Sequence, residues 1–484
     1  MVDQNVKSLD RVLTAHGYAI KKTSLTPRRI QALRKELTVA PQTSPKFMKG
    51  GNQAFTVYTE SPTRFYVPRC WAKDTYGEFQ ASLVPDGLEI PKEHATFTGS
   101  PYDYQESIIN KFMKADANGL ICVPCGKGKT FMALAIASRL KRRFLVVVDK
   151  EFLMNQWRGE MAAVWPSLRV GILQANKCET DPEEFDVTIC MIQTLVQREF
   201  PEGMFKTYGF TIFDECHHLG AAHFSRALLK VQTKHMLGLS ATPKRDDGLT
   251  KVFEWFLGKP VYWEKTREPD AQVIVRYEQL TYTEPVYTET PVNYKGELIM
   301  ARLLSRILEH APRNEKIAEI VRELCEDEHR RVLVLSERIS HLEAIETLLK
   351  PSGLTMSYYV GGMKEEERET GAQTARVLLA SYAMASEAMN IKTLNSVILA
   401  SPRKKVEQST GRILRIKPEQ RQVAPVIVDI VDVHGVYQGQ WKKRLAYYKK
   451  CAYKVLLNTH VPPETDEQLE ESDAEPSGCL ILDD

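Results

Sequence analysis

The sequence predicts an α/β chain: two tandem domains, each a parallel sheet flanked by helices, preceded by a small α+β domain. Three observations predict it. Short apolar runs alternate with longer helical stretches along most of the 484 residues, the pattern of parallel strands buried on both faces. One such run ends in a glycine- and lysine-rich turn that opens a helix, and another ends in a pair of acids. In an open α/β sheet, strand ends of both kinds face the ligand crevice.

The first of these runs is Gly119 to Val123, a buried strand. It leads through Pro124 and Cys125 into Gly126-Lys127-Gly128-Lys129-Thr130, and Phe131 to Leu140 then reads as a buried helix. Strand, glycine loop and helix make the setting in which a phosphate loop forms. Gly126 and Gly128 let backbone N–H groups close on phosphates, and the helix N-terminus adds its positive dipole. Lys129 is placed to reach the β- and γ-phosphates of ATP, Thr130 to hold Mg²⁺, and Lys127 is grouped with the nucleotide-binding set. Cys122 and Cys125 read as core thiols.

The second run, Thr211 to Phe213, carries Asp214 and Glu215 at its carboxyl end. Asp214 is the expected Mg²⁺ carboxylate, binding directly or through water, and Glu215 the group that polarises the attacking water. A zinc site from Cys216, His217 and His218 is the rival reading; adjacent residues point in different directions, and no second ligand pair follows at useful spacing.

Phe144 to Val148 is a further strand of the first domain. Arg331 to Ser336 and Val426 to Ile430 are strands of the second, which closes on a basic helix from Gln440 to Tyr448. The expected boundaries are 1–95 for the N-terminal domain, 96–262 for the first lobe, 263–314 for a connector, 315–458 for the second lobe and 459–484 for an acidic disordered tail. The connector reads as extended Thr/Tyr/Pro-rich stretches with a helix near Lys295 to His310. In the N-terminal domain, Thr26 to Leu37 reads as helical, and Ala54 to Tyr58 and Arg64 to Val67 as strands. Its Phe65, Tyr66 and Trp71 lie among Arg64, Arg69 and Lys73, so they serve either as core aromatics or as a base-stacking surface.

Read in order, these segments resemble a superfamily 2 DExH helicase of the XPB-like branch, near the helicases of poxviruses, asfarvirus-like and other large DNA viruses. The resemblance covers roughly 96–455 and implies two RecA-like domains with ATP hydrolysed between them. It implies that Tyr102 and Gln105 meet the adenine, that His217 joins the catalytic set, and that Ser240 and Thr242 couple ATP state to lobe movement. Gln156, Trp157 and Thr194 are its nucleic-acid contacts in the first lobe. Arg245, in the charged stretch Lys244 to Gly248, is another, alongside the alternative of a solvated turn. In the second lobe Arg338 and Ser381 match nucleic-acid motifs; Ala388 and Asn390 depart from the glycine and aspartate usual there. Gln408, Gly411, Arg412 and Arg415 match the motif whose arginines approach the γ-phosphate, and their spacing puts the arginines on one helix face. Segments Leu37 to Pro41 and Tyr66 to Arg69 resemble the viral proteins as well.

Net charge is +3, yet nine acidic residues and no Lys or Arg lie between Glu464 and Asp484, leaving the rest of the chain at +12. That balance suits a phosphate-binding body. Lys141-Arg142-Arg143, Arg403-Lys404-Lys405 and Lys442-Lys443-Arg444 are candidate backbone contacts. No apolar run reaches 18 residues, the first residues carry no apolar stretch of a secretory signal, and nine cysteines lack framework spacing. These features predict an intracellular protein with reduced thiols, cytoplasmic or nuclear, or in a virion or viral factory if the source is a virus, and no membrane partner. The expected activity is an ATP- and Mg²⁺-dependent helicase or translocase, with 3′→5′ polarity implied by the resemblance. The expected partners are single-stranded and duplex DNA, with RNA left open, and transcription or replication machinery. A duplex translocase without unwinding and a binding scaffold with a spent motor are the alternatives.

Overall fold

The computed structural model describes residues 8–42, 54–124, 126–245, 247–264, 269–387, 391, 393–414, 416 and 418–457. Cys125, Asp246, Ala388 to Asn390, Arg415 and the acidic tail lie outside the described residues. The chain divides into two compact units, Met1–Lys265 and Thr266–Asp484.

The first unit is built on an eight-stranded sheet. Its order is Lys177–Cys178, Val170–Gln174, Val187–Met191, Phe144–Val148, Phe210–Phe213, His235–Ser240, Asn118–Cys122 and Pro260–Trp263. All neighbours run parallel except the short Lys177–Cys178 strand. The strands read as unbroken apolar runs because both faces are covered. In Phe144–Val148, Leu145 and Val147 pack into one core, while Phe144, Val146 and Val148 pack into the other. Parallel pairing brings the carboxyl ends to one edge, where the loop after Cys122, the acids after Phe213 and Ser240 itself stand on adjacent strands.

The N-terminal segment shares the first of those cores, contributing Leu13, Tyr18, Ile20, Phe65, Val67 and Trp71. Its own sheet runs Thr59–Glu60, Arg64–Val67, Gly17–Lys21, Arg11–Thr14 and Ala81–Ser82. Arg69 is buried and fastens it to the large sheet, donating from Nε and Nη2 to Gln232 Oε1 (3.1 and 3.0 Å) and from Nη2 to the Thr233 carbonyl (2.7 Å). Phe65 and Trp71 are therefore core residues, and the base-stacking reading fails for both.

The second unit carries a seven-stranded, wholly parallel sheet: Met356–Tyr359, Val377–Ser381, Val332–Ser336, Ser396–Leu399, Val426–Asp432, Ile274–Leu280 and Lys454–Leu457. Ile274–Leu280 falls within the stretch expected to be a connector. Its charged residues hid it: Arg276 is closed by Glu278 (2.8 Å) and Glu323 (2.7 Å), so a strand with two charges still pairs along its whole length. The helix expected near Lys295 begins only at Met300 and ends at Glu309, because Asn293 to Gly296 forms a turn. Among the described residues no helix is long and apolar enough to cross a membrane.

Candidate active site

The loop after Asn118–Cys122 closes through two left-handed glycines, Gly126 (φ +88°) and Gly128 (φ +75°), and helix Lys129–Leu140 starts at the next residue. A Cβ on Gly128 would sit 2.4 Å from Gln105 Nε2, so a side chain there would strain the backbone at φ +75° and displace the Gln105 amide. Gln105 is buried, with Nε2 donating to the Lys127 carbonyl (3.2 Å) and Oε1 accepting from the Tyr102 N–H (3.0 Å). Its amide braces the phosphate loop. Tyr102 is 60% exposed and stacks on Tyr104 at 6.0 Å, leaving an aromatic surface beside the loop. Lys127 reaches sideways, to Glu264 (3.5 Å) and over the Tyr104 ring.

Strand Phe210–Phe213 delivers the two acids. Glu215 has a left-handed backbone (φ +42°), a conformation that costs a non-glycine residue about 1–3 kcal/mol and recurs at functional sites. The turn is held by Asp214, whose Oδ1 accepts the Glu215 N–H at 2.9 Å, and it sends Glu215 Oε1 to within 3.3 Å of Lys129 Nζ. Asp214 Oδ2 accepts the Trp157 indole N–H at 2.9 Å. Burial, then the Glu215 charge, pushes the Asp214 carboxyl up to about 6. Burial acts the same way on Glu215, but Lys129 and His217 outweigh it and hold that carboxyl below its usual range.

The second Glu215 oxygen, Oε2, is buried without a hydrogen-bond partner. It lies 3.4 Å from His217 Nδ1, and a buried carboxylate oxygen without a hydrogen bond, beside a lysine and a second carboxylate, fits a site that a charged ligand completes. The described residues hold no group of three or more His, Cys, Asp or Glu able to cage a metal alone. Magnesium needs none: it is held by one or two protein oxygens together with nucleotide phosphates and water, and Thr130 and Asp214 supply oxygens of the right kind. The residues thus fit Mg²⁺-ATP, whose metal neutralises charge on the phosphates when bound.

Behind the acids, His217 Nδ1 lies 3.0 Å from Ser240 Oγ, and that hydroxyl accepts the Thr242 N–H at 3.1 Å. Burial lowers His217 to about 4, so the ring is neutral at physiological pH and shares a hydrogen bond with the Ser240 hydroxyl. Cys216 is buried in the core and His218 faces Asp149 (3.7 Å); the His217 and His218 rings lie 4.3 Å apart, yet among the described residues no three His, Cys, Asp or Glu come together to hold a metal, as the zinc reading requires.

Two family models match the chain: the Type III restriction enzyme res subunit over residues 98–245 and the helicase conserved C-terminal domain over 315–417. A protein of Acanthamoeba polyphaga mimivirus, named as a candidate ATP-dependent RNA helicase, L396, is 31% identical over 458 residues, covering 92% of this chain and 86% of its own. The chain belongs to the superfamily 2 helicases. A candidate RNA helicase of African swine fever virus, QP509L, is 26% identical over 73% of this chain and 74% of its own. Among solved structures, the Hef helicase domain of Pyrococcus furiosus aligns with 71% of this chain and 98% of its own, at 17% identity and a TM-score of 0.47.

Several side chains expected on the helicase's nucleic-acid face lie elsewhere. Trp157 is 1% exposed and bonded to Asp214. Thr194 is buried, its hydroxyl accepting the Ala175 N–H (2.9 Å). Arg245 donates from Nη1 to the His217 carbonyl (2.6 Å) and from Nε to Asp247 (2.9 Å), clasping the turn that follows the acids. Arg143 and Arg444, from two of the basic clusters, are buried in hydrogen-bond networks. Gln156 is half-exposed and Arg338 exposed, as contacts require, and Ser381 is half-exposed at a strand end. Gln408 is half-exposed on the short helix Glu407–Thr410; Arg412 follows on the 3-10 turn Gly411–Ile413 and is buried. The continuous helix expected to carry Arg412 therefore stops at Thr410.

Sequence reading missed Asp149, Lys150 and the inward role of Trp157. Asp149 and Lys150 follow Phe144–Val148 at the same sheet edge; the Asp149 carbonyl accepts Gln193 Nε2 (2.7 Å), and burial lowers Lys150. The available signal was topological, since a strand paired to Phe210–Phe213 ends beside the acids.

Proposed function

We propose that this helicase is a DNA motor: it couples hydrolysis of Mg²⁺-ATP to movement along one strand, 3′→5′, and unwinds duplex ahead of it. The observation that carries the reading is the Lys129–Glu215–Asp214 constellation, linked to Ser240 through His217, whose Nδ1 lies 3.4 Å from Glu215 Oε2. Lys129 binds the terminal phosphates, Thr130 and Asp214 hold Mg²⁺, and Glu215 orients and polarises the attacking water. His217 and Ser240 link the acids to Thr242 on the next loop, so a change in the ligand at the acids reaches the segment that couples to movement. As the resemblance implies, Gln408, Arg412 and Arg415 are the residues proposed to stabilise charge on the γ-phosphate. Gln156, Arg338 and Ser381 take the strand mainly through its phosphates.

DNA as the substrate rests on the likeness to the XPB-like branch; the names of the viral relatives point to RNA. Strand displacement on duplexes with 3′ or 5′ tails, in DNA and in RNA, decides between them. Release confined to 3′-tailed DNA supports the proposal. Release from RNA alone, or from 5′ tails alone, overturns the substrate or the direction. Turnover stimulated by blunt duplex DNA without release favours a translocase.

A further inference from the structure

Helix Glu151–Val164 has two faces with different business. Leu153, Met154, Trp157 and Met161 point inward, while Gln156 remains half-exposed. A buried indole needs an acceptor for its N–H, and a backbone carbonyl suffices, as at Trp165, which donates to the His94 carbonyl at 2.7 Å. Trp157 uses a carboxylate instead: Asp214 Oδ2, at 2.9 Å. Asp214 Oδ1 is engaged by the Glu215 N–H, so one bond comes from the acid's own turn and the other from a different element. The start of the helix is tied to the same sheet edge, through Gln193 to the Asp149 carbonyl and His218 beside the Asp149 carboxylate. A shift of this helix therefore cannot leave the Trp157–Asp214 bond unchanged.

We propose that Trp157 is a positioning residue that orients the Asp214 carboxylate for Mg²⁺ and carries to it the position of the helix whose Gln156 side meets nucleic acid. The second half of this proposal rests on the motor reading above. Groups that donate to a metal-binding side chain from behind set its orientation, and their loss weakens metal affinity about 10–100-fold. A strand seated on the exposed side of the helix would be sensed at the metal without touching the nucleotide.

Trp157→Phe keeps an aromatic ring and deletes only the donor and part of the bulk. Calorimetric titration of the full chain with ADP, with and without Mg²⁺, separates the two effects. The expected result is a loss of about tenfold in Mg²⁺-ADP affinity with metal-free ADP binding unchanged. Stimulation of turnover by oligothymidylate should fall several-fold while oligothymidylate affinity is retained. Trp165→Phe, which deletes an equally buried indole bonded to a carbonyl, should change none of these. Should Trp157→Phe melt abnormally, Trp157→Tyr is taken through the same titrations. Equal losses of Mg²⁺-bound and metal-free ADP would reduce Trp157 to packing, and unchanged Mg²⁺-ADP affinity would overturn the proposal. If no nucleic acid stimulates the wild type, the motor reading fails, and the Mg²⁺-ADP comparison still decides the part concerning Asp214.

Discussion

The carboxyl edges of the two parallel sheets use similar parts to different ends. Each holds a histidine bonded to a serine: His217 to Ser240 at 3.0 Å in the first unit, His341 to Ser336 at 2.9 Å in the second. Burial keeps both rings neutral, lowering them to about 4 and about 3. The acids differ. In the second unit Asp432 is closed by Arg313 (2.7 and 3.1 Å) and Tyr287 (2.8 Å), and Asp429 by Arg444 (2.8 and 2.7 Å) and Tyr448 (2.8 Å). In the first, among the described residues, Asp214 accepts two neutral N–H donors, and Glu215 meets Lys129 (3.3 Å) through Oε1 and His217 (3.4 Å) through Oε2, which has no hydrogen bond. Closed pairs are structural, and their chemistry is finished in the fold. On the proposed reading the less fully closed pair is the reactive one, and Mg²⁺ would add positive charge beside it when bound.

Breaking the open edge should cost activity and spare the fold. Lys129→Ala or Glu215→Gln should lower ATP turnover about 10³-fold or more, with melting behaviour retained; wild-type rates in either would remove the reaction from this edge. Breaking a closed pair should do the reverse. Arg313→Ala strands Asp432, both side chains being fully buried, and should cost about 3–5 kcal/mol in denaturant unfolding of the second unit. A change below about 1 kcal/mol would contradict the closed-pair account.

The second histidine sharpens the comparison through pH. Burial lowers His341 to about 3 in the fold, against 6.5 for an exposed imidazole, so below 6.5 the unfolded chain takes up a proton that the folded chain refuses. Its contribution to stability is therefore fully present above pH 6.5 and is lost as pH falls toward 3. His341→Gln should flatten that acid limb in melts taken between pH 6.5 and 4; an unchanged slope would show that His341 is not its source. The smallest effect is expected from removing 464–484. Basal turnover should stay constant, while DNA binding tightens at low salt and converges with wild type as salt rises. Equal affinities at every salt concentration would mean the acidic segment does not compete for DNA.

The sequence was most legible where chemistry is local. The strand before the phosphate loop, the loop glycines and the acids after Phe213 announce themselves within a few residues, and the sheet places them as their spacing implies. Partners set by topology were hidden. Trp157 looked like a strand contact because its acceptor lies 57 residues further on. Arg444 looked like a nucleic-acid backbone contact in a basic run because nothing local reveals Asp429. Ile274–Leu280 looked like linker because two of its seven residues are charged, and the Glu323 that closes Arg276 lies 47 residues further on. Gln105 shows the same limit at closer range, since its carboxamide serves the loop beside it.

The most direct measurement is steady-state ATP hydrolysis by the intact chain, with Mg²⁺, in the presence and absence of single-stranded DNA, beside the Glu215→Gln variant. The account predicts turnover that rises severalfold with DNA and vanishes in the variant. Turnover that ignores DNA, or that survives Glu215→Gln, would contradict it.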